Sequence, residues 1–335
     1  MKPPLVWVIG KGGLLGTSLS RAISRRASEM AIWECIVPEF SWDDKDSLSN
    51  EFALAIRSFC EMSGENYCSW IILWAAGASV VGSSPKQLQS ETETWKLFLD
   101  LLGKTLTSLN FSSPGVIFLA SSAGGVYGKS PDPILTESSP CLPISEYGWN
   151  KLQQENLLRD WAATRPSVSY LIGRISNLYG LTQNLQKPQG LISHMSWSFI
   201  YHKPVHIYVP LDTIRDYFFV KDCAEHVLAC VEVLNRNTEN RRYATGVVKI
   251  FASEQPCSIA RIVGIFSQIA KHYPKIISAK SPVSQKQPPK LIFRSEIWRE
   301  LSIRCKTDLL VGINSVYKHH LTLFREGQLP APKLC

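Results

Sequence analysis

The stretch Leu5-Val-Trp-Val-Ile9 runs directly into Gly10-Lys-Gly-Gly13-Leu-Leu-Gly16, and this junction decides the fold. Five consecutive apolar residues are typical of a strand buried on both faces of a parallel sheet. The following segment, Leu14–Ala27, is predicted as a helix. Glycines at a strand-to-helix turn let the backbone approach a dinucleotide pyrophosphate, whose charge is favoured at the helix N-terminus. We therefore predict a dinucleotide site, with an ordinary glycine-rich turn as the alternative. Its cofactor-binding residues are expected to be Gly10, Gly13, Leu14, Leu15 and Gly16.

Short apolar runs alternate with amphipathic segments through the first half of the chain, a pattern typical of β–α–β units. Right-handed crossovers between such strands give a doubly wound parallel sheet of the Rossmann type, the α/β class that we predict. The dinucleotide-binding domain is expected at residues 1–173, completed by parts of 205–235, and a smaller C-terminal substrate lobe mainly within 174–335. The predicted strands are Leu5–Ile9, Ile32–Val37, Trp70–Trp74, Val116–Ala120 and Ser169–Gly173, and the predicted helices include Leu14–Ala27, Ser47–Cys60, Ser90–Leu109 and Tyr147–Ala163.

Tyr147 and Lys151 stand four residues apart in Tyr147-Gly-Trp-Asn-Lys151. Side chains at i and i+4 lie on one face of a helix, so a phenol and an ammonium can share a pocket. A nearby cation favours the phenolate form of a tyrosine, as a general acid/base for alcohol–ketone chemistry requires. The spacing alone is common, and an exposed helical pair is the alternative. Together with the glycine turn, it indicates a hydride-transferring enzyme.

The composition bounds the class of protein: 335 residues, 45% hydrophobic and 19% charged, fit a soluble globular chain with a sizeable core. No apolar run is long enough to span a membrane, and the first one leads into Lys11 and glycines, unlike a signal peptide. The nine cysteines are scattered without a Cys-x-x-Cys, which favours reduced, buried thiols and a cytoplasmic enzyme. His202 and His206 have metal-like spacing, but Pro204 breaks the helix that would align them, so no metal site is predicted.

Positive charge is concentrated near the C-terminus. Residues 235–335 hold 17 Lys and Arg against 6 Asp and Glu, whereas residues 1–234 hold 19 against 22. Such a region is either a solvated face or an attractor of a phosphate-bearing substrate. Because it lacks basic motifs interleaved with aromatic residues, we do not expect a nucleic acid partner.

Six different short motifs follow one another along the chain. They are Gly10-x-x-Gly13-x-x-Gly16, Ala75-Ala76-Gly77, Ser121-Ser122-x-x-x-Val-Tyr127-Gly128, the Tyr147/Lys151 pair, Arg174-x-x-Asn177-x-Tyr-Gly180 and Arg215-Asp216-Tyr217-x-x-Val-x-Asp222. With these motifs the chain resembles the extended short-chain dehydrogenase/reductase superfamily, specifically its NAD-dependent epimerase/dehydratase branch. The resemblance covers most of the chain.

The resemblance implies roles for the catalytic residues. Tyr147 would be the acid/base at the substrate hydroxyl. Lys151 would favour its phenolate form and hydrogen-bond the nicotinamide ribose. Ser122 would hold the reacting oxygen, although Ser121 is an open alternative.

The resemblance also implies the binding partners. Asn177 and Arg215 would contact a nucleotide-diphosphate sugar, with the planar guanidinium of Arg215 at the diphosphate. Arg174 would either act near the site or form an ion pair under the sheet. The cofactor would be NAD, and we expect a homodimer. The segment expected beside the cofactor is Ala75, Ala76 and Gly77.

Departures from the family pattern bear on the reaction. Dehydratases of this branch carry an Asp-Glu pair before Val-Tyr-Gly, where this chain has Gly124 and Gly125. Sugar dehydration therefore has no obvious proton donor. In sugar 4-epimerases the catalytic Ser or Thr occupies the position of Ala123, so the loop after Ser122 is expected to be one residue longer here.

The nucleotide preference is less clear from the sequence. The second strand does not end in the Asp expected for the ribose of NAD, and Glu34 and Glu39 are imperfect substitutes. Asp43 is a candidate for the adenine end. NADP is not excluded, because Arg25-Arg26 could meet its phosphate.

Three functions are compatible with these residues. The first is an NAD(P)-dependent nucleotide-sugar epimerase that oxidises a hydroxyl transiently and regenerates its cofactor. The second is a sugar or carbonyl reductase that uses the same site. The third is a non-catalytic dinucleotide sensor, which would have no need of both Tyr147 and Lys151.

Overall fold

The computed structural model describes residues 2–26, 29–37, 39–185, 190–240, 245–278, 288–302 and 307–330. The strands are β1 (Leu5–Ile9), β2 (Ala31–Ile32), β3 (Trp70–Trp74), β4 (Gly115–Ser122), β5 (Val168–Ile175), β6 (Asn177–Tyr179), β7 (Val205–Ile207), β8 (Ile214–Arg215), β9 (Tyr217–Phe219), β10 (Gly246–Phe251), β11 (Cys257–Ser258) and β12 (Ile276–Ser278). The helices are α1 (Leu14–Ser24), α2 (Lys45–Asn66), α3 (Pro85–Ser108), α4 (Ala123–Val126), α5 (Glu146–Ala163), α6 (Leu191–Ile200), α7 (Val220–Asn240), α8 (Ile259–Ala270), α9 (Arg299–Ser302) and α10 (Leu309–Arg325).

Six parallel strands form the central sheet in the order β2-β1-β3-β4-β5-β10. All five residues of β1 and all five of β3 are buried, as expected for strands covered on both faces. Helices α2, α3 and α5 pack on one face, and α1 and α7 on the other. The predicted doubly wound Rossmann-type fold is confirmed.

The chain order of the sheet reverses between β1 and β3. Because α1 and α3 leave these two strands on opposite faces, a crevice opens at the carboxyl ends of the strands. Ligands of open α/β sheets bind at such a switch point. The fold therefore places the glycine turn after β1 where a dinucleotide site is expected.

The second strand is shorter than the predicted Ile32–Val37. β2 pairs with β1 only through Ala31 and Ile32. Trp33 still donates its backbone N–H to the carbonyl of Val6 at 2.7 Å, and its ring packs in the aromatic core, with its centre 5.0 Å from that of Trp7. Residues 33–37 form no strand. The predicted extension to Val37 was therefore wrong.

Other predicted elements are present with shifted ends. α3 begins at Pro85 because Ser84 and Gln87 form a capping box before it. α2 continues to Asn66, beyond its predicted end. The predicted end of the first helix, Ala27, lies outside the described residues.

The later part of the chain contributes to two regions. Strand β10 completes the central sheet beside β5, although it lies beyond both 1–173 and 205–235. Three short strand pairs, β6–β9, β7–β12 and β8–β11, surround a separate hydrophobic core formed with α6, α8 and α10. The division into a cofactor domain and a substrate lobe near residue 173 stays a prediction.

Seven cysteines lie in the part of the chain that the structure describes, and none of these seven forms a disulfide. Burial raises the pKa of Cys60 to about 12, which makes this thiol unreactive. Among the described residues, no helix combines the length and the apolar character needed to cross a bilayer.

Candidate active site

The glycine turn lies at the carboxyl end of β1. Gly10 has a φ of +90°, and a Cβ atom there would lie 2.6 Å from the backbone nitrogen of Ala76. A Cβ atom at Gly16 would lie 2.0 Å from the Gly10 carbonyl oxygen. Glycine at position 10 therefore lets the segment after β3 approach the turn, and glycine at position 16 lets α1 pack on it. Gly13 is the N-cap of α1, so the first amides of this helix are directed out of the turn, as a phosphate site requires.

The segment Ala75-Ala76-Gly77 forms the opposite wall of the crevice. The backbone nitrogen of Ala75 donates to the carbonyl of Ile9 at 2.9 Å, which fixes this wall to the end of β1. Leu14 and Leu15 open α1 beside it, half-buried and buried respectively. Because Gly10 has no Cβ atom, this wall packs closely against the turn, next to the helix N-terminus where a pyrophosphate is expected. Contacts of these residues with a cofactor stay a prediction.

Tyr147 and Lys151 project from the first two turns of α5. The helix begins here because the Ser145 hydroxyl accepts a hydrogen bond from the Gly148 nitrogen at 3.2 Å. The Lys151 Nζ lies 5.8 Å from the centre of the Tyr147 ring. Tyr147 is half-buried, whereas Lys151 is buried. The structure thus brings the predicted phenol and ammonium together.

Lys151 has a partner that the sequence reasoning missed, Glu91 of α3. The Lys151 Nζ donates to Glu91 Oε1 at 2.7 Å and to Gln154 Oε1 at 3.1 Å. Burial opposes the charge of the lysine, but the facing Glu91 carboxylate outweighs it, and the pKa of Lys151 is raised. Burial likewise disfavours the carboxylate, but the Lys151 charge and four hydrogen bonds lower the pKa of Glu91 to about 2. The site therefore contains a charged, buried ion pair.

One signal in the sequence marks Glu91. Apolar residues of α3 recur at helical spacing on the face toward the core, including Leu88, Trp95 and Leu99. Glu91 is three residues after Leu88 and four before Trp95, so a carboxylate occupies an inward position. A buried carboxylate needs a partner, which here is Lys151.

Ser122, rather than Ser121, lies beside Tyr147. A Cβ atom at Gly125 would lie 3.2 Å from a ring carbon of Tyr147 and 3.3 Å from Ser122 Oγ, so both side chains border one space. The Ser121 hydroxyl is instead buried and donates to Glu155 Oε1 at 2.7 Å. Ser122 is also the N-cap of α4, and its Oγ accepts a hydrogen bond from the Gly125 nitrogen at 3.2 Å.

Arg174 forms an ion pair under the sheet, one of the two predicted alternatives. Its Nε and Nη2 donate to the two carboxylate oxygens of Glu155 at 3.0 and 2.7 Å. Its Nη1 donates to the Tyr127 hydroxyl at 2.5 Å. Because Arg174 is 3% exposed, this cluster supports the Ser122 loop from below.

Asn177 begins β6 and Arg215 ends β8, in two different small sheets. The side-chain nitrogen of Asn177 donates to the carbonyl of Asp216 at 3.0 Å. The buried Asp216 carboxylate accepts bonds from Ser176 and Ser253, and so joins these segments to the loop after β10. The structure therefore holds Asn177 and Arg215 on one connected framework.

Arg215 lines a cavity of about 330 Å³ together with Asp212, Thr213 and Pro289, among other residues. The side chain is buried, and burial lowers the pKa of its guanidinium. A lowered pKa means that the surroundings disfavour the cation, a cost that an anionic ligand in the cavity would relieve.

The predicted contact of Arg25-Arg26 with an NADP phosphate is not supported. Arg25 and Arg26 both form ion pairs with Glu225 of α7, at 2.9 and 2.6 Å, and Arg26 also pairs with Glu232 at 2.5 Å. These carboxylates already neutralise the two arginines on the face covered by α7.

The acidic candidates near β2 differ in their position. Glu34 forms an exposed ion pair at 2.9 Å with Lys11, which belongs to the glycine turn. Glu39 is exposed, and Asp43 is exposed in the turn that precedes α2. Of these three acidic residues, only Glu34 has a described contact with the glycine turn.

Fold and site together define a Rossmann-type protein with a Tyr/Lys pair beside its dinucleotide crevice. The chain belongs to the NAD dependent epimerase/dehydratase family, whose sequence profile matches residues 6–246. The predicted family is thereby confirmed, and its description names the predicted cofactor, NAD.

Individual relatives are more distant. Over 116 residues the chain is 34% identical to dTDP-4-dehydro-6-deoxyglucose reductase of Escherichia coli, a match covering 35% of this chain and 36% of that protein. The chain thus spans about a third of the length of the first curated relatives it matches.

Solved structures cover almost the whole chain at low identity. The UDP-glucose 4-epimerase of Thermus thermophilus, in complex with NAD, has a TM-score of 0.72 and 18% identity, over 94% of this chain and 98% of that one. The UDP-glucuronic acid 4-epimerase of Bacillus cereus, in complex with UDP-glucuronic acid and NAD, has a TM-score of 0.74 and 16% identity, over 95% and 99%. At such identities the similarity establishes the fold.

Proposed function

We propose that this protein is an NAD-dependent nucleotide-sugar epimerase that oxidises a sugar hydroxyl transiently. The observation that carries the proposal is the shared space of Tyr147, Lys151 and Ser122 next to the dinucleotide crevice. Glu91 links the Tyr147/Lys151 pair to the crevice. It binds Lys151, and it also accepts a hydrogen bond from the backbone N–H of Ala78, directly after the crevice wall.

Each of the three residues has a role in moving one proton. Tyr147 takes the proton of the sugar hydroxyl as the carbon is oxidised, and returns it when the ketone is reduced. Lys151 places its ammonium beside Tyr147, with Nζ 5.8 Å from the ring centre, where it can stabilise negative charge that develops on the reacting oxygens. Ser122 donates a hydrogen bond to the reacting oxygen, where negative charge develops. NAD, when bound, supplies the hydride acceptor and donor.

The loop that carries Ser122 favours epimerisation over dehydration. Removal of water needs an acid and a base at the sugar, and this loop has Gly124 and Gly125 where dehydratases carry carboxylates. Gly125 leaves the space between Ser122 and Tyr147 open without adding a proton donor.

We further propose that the substrate is a nucleotide-diphosphate sugar with its diphosphate at Arg215 and its sugar near Asn177. The buried guanidinium, the adjoining cavity and the excess of cations after residue 235 support this assignment. Binding energy from the nucleotide can position a small sugar ring for hydride transfer. The proposal is supported by the matched epimerase structure of Bacillus cereus, which is a complex with UDP-glucuronic acid and NAD.

A reductase is the second candidate, favoured by the match to a dTDP-4-dehydro-6-deoxyglucose reductase. Cofactor retention and turnover of the purified protein distinguish an epimerase from a reductase. An epimerase retains NAD through gel filtration and converts a UDP-sugar to its epimer, detected by chromatography, without added cofactor. An empty site with turnover that consumes NADH or NADPH would replace the epimerase by the reductase. Bound NAD with no turnover of any nucleotide sugar would favour the dinucleotide sensor.

We also propose a homodimer with a cytoplasmic location. α3 and α5 leave a groove of about 490 Å³ between them, beside the exposed ring of Trp149. A second copy would cover this aromatic ring. Sedimentation equilibrium of the wild type and Trp149→Ala tests the dimer, and a monomeric wild type would refute it.

The proposed cytoplasmic location is supported by the cysteines. Thiols outside any disulfide, such as Cys60, fit a reducing compartment.

A further inference from the structure

Glu91 joins the crevice wall to the catalytic helix. Its side chain is 14% exposed, and its Oε2 accepts hydrogen bonds from the backbone nitrogens of Ala78 and Ser79 at 3.1 and 2.9 Å. Its Oε1 accepts from Lys151 at 2.7 Å. A Cβ atom at Gly77 would lie 3.3 Å from Oε1, so the carboxylate lies directly against the wall of the crevice.

The hydrogen-bonding capacity of Glu91 is full. A carboxylate has about four lone-pair sites. Four donors occupy them, because the Gln154 side-chain nitrogen also donates to Oε1, at 3.1 Å. Glu91 therefore has little capacity left for a ribose hydroxyl, and it acts on the cofactor through Lys151.

Lys151 retains capacity that Glu91 lacks. An ammonium has three N–H donors. Two of them go to Glu91 and Gln154. One N–H remains for a ligand or for Tyr147, and its direction is set by the two protein bonds.

We propose that Glu91 is a positioning residue that holds Lys151 with one N–H available to the cofactor and balances its charge beside the nicotinamide. This inference rests on the proposed roles of Tyr147 and Lys151. The oxidised nicotinamide ring is cationic and the reduced ring is neutral. An unbalanced ammonium would therefore weaken NAD⁺ binding relative to NADH, whereas an unbalanced carboxylate would strengthen it. A balanced pair suits an enzyme that passes through both forms in every cycle.

Equilibrium binding of NAD⁺ and NADH to cofactor-free protein tests this charge balance without turnover. The dissociation constants are measured by calorimetry at pH 6, because a low pH favours the protonated form of Lys151. We expect Glu91→Gln to raise the ratio of the NAD⁺ to the NADH constant on the order of tenfold, the effect of one charge at about 10 Å in a dielectric of about 20. Lys151→Met should lower the ratio by a similar factor.

Two further variants separate charge from position. The double variant Glu91→Gln with Lys151→Met is again neutral and should restore the wild-type ratio. Glu91→Asp keeps the charge but shortens the side chain, so its ratio should stay near wild type while its kcat falls. Glu61→Gln is the matched control, because it removes one carboxylate from an exposed ion pair on α2 and should change nothing.

The inference is overturned if Glu91→Gln has the ratio of the wild type, or if Glu91→Asp shifts the ratio as much as Glu91→Gln. If Glu91→Gln does not fold, a Lys151→Met ratio that does not fall overturns it equally. A failure of this inference can be told apart from a failure of the proposed function. If Tyr147→Phe loses turnover but the Glu91 and Lys151 variants keep the wild-type ratio, only the role of Glu91 is refuted. If Tyr147→Phe keeps full turnover, only the mechanism is refuted.

Discussion

Helix α5 carries two buried ion pairs on successive turns, Lys151 with Glu91 and Glu155 with Arg174. The Glu155 side chain is 0% exposed and the Arg174 side chain 4%, whereas Lys151 and Glu91 are 8% and 14% exposed. The guanidinium binds Glu155 through two parallel hydrogen bonds and gives a third to Tyr127. The ammonium binds two acceptors and keeps one donor.

The difference follows from the shapes of the two cations. A guanidinium is planar and matches a carboxylate in one fixed arrangement, which suits a support. An ammonium is a point charge on a flexible chain, so its direction depends on its partners. Helix α5 thus presents its own adjustable cation, Lys151, toward the crevice, and through Glu155 it binds the rigid cation Arg174 of β5. Four predictions test this contrast, from the largest expected effect to the smallest.

Tyr147→Phe should remove most of the turnover at the site beside the Lys151–Glu91 pair, while NAD binding is retained. Loss of general acid/base catalysis alone costs about 10²–10⁴-fold in turnover. NAD affinity should stay nearly unchanged, because the phenol oxygen is the only group removed. Epimer formation from a verified substrate, with NAD binding by calorimetry, measures both. Near wild-type turnover would remove Tyr147 from the mechanism.

Arg174→Met should destabilise the protein more than Lys151→Met. Breaking a buried pair costs about 3–5 kcal/mol. Arg174→Met leaves the fully buried Glu155 with the partly exposed Arg159 as its remaining ion-pair partner. Lys151→Met leaves Glu91 with three of its four donors and some exposure, so its loss of stability should be smaller while turnover falls more. Urea unfolding of both variants gives the comparison. Equal losses of stability would show that the two pairs do not differ in this respect.

Arg215→Ala tests a third buried cation, in the other lobe. Ligand at 100 times its Kd stabilises a protein by about 2.7 kcal/mol. We expect UDP to raise the melting temperature of the wild type, and Arg215→Ala to lose most of this shift while keeping the shift caused by NAD. If no nucleoside diphosphate raises the melting temperature, the nucleotide-sugar proposal fails, and a smaller phosphate-free carbonyl substrate takes its place.

The pH dependence of stability gives the smallest effect. The pKa of folded Glu91 is lowered from 4.5 to about 2. Its contribution is therefore present above pH 4.5 and is lost as the pH falls toward about 2. The difference in unfolding free energy between wild type and Glu91→Gln should narrow by about 1 kcal/mol from pH 6 to pH 3.5. A constant difference in urea titrations over this range would argue against a charged Glu91.

Sequence patterns predicted the central strands and the Tyr147/Lys151 helix because their signals are local. Five apolar residues mark β1 and β3, and a four-residue spacing places Tyr147 and Lys151 on one helical face. The end of β2 was mispredicted, since the burial of Trp33 depends on a core that the strand itself does not encode.

The choice between Ser121 and Ser122 shows the same limit. The two residues have identical side chains, and the family spacing to Val-Tyr-Gly matches neither of them, although Ser122 is the nearer. The structure separates them because Glu155, 34 residues later, takes the Ser121 hydroxyl. Ser122 then borders the space next to Tyr147.

The sequence by itself determined the glycine turn, the parallel strands and the helix that carries Tyr147 and Lys151, since steric freedom and side-chain periodicity act between near neighbours. The tertiary structure alone decided the partner of Lys151. Glu91 lies 60 residues away along the chain and meets the lysine only because α3 and α5 pack side by side on the sheet. Burial strengthens the attraction between the charges of Lys151 and Glu91. This bond and the one to Gln154 set the direction of the third N–H of Lys151, which we propose for the cofactor.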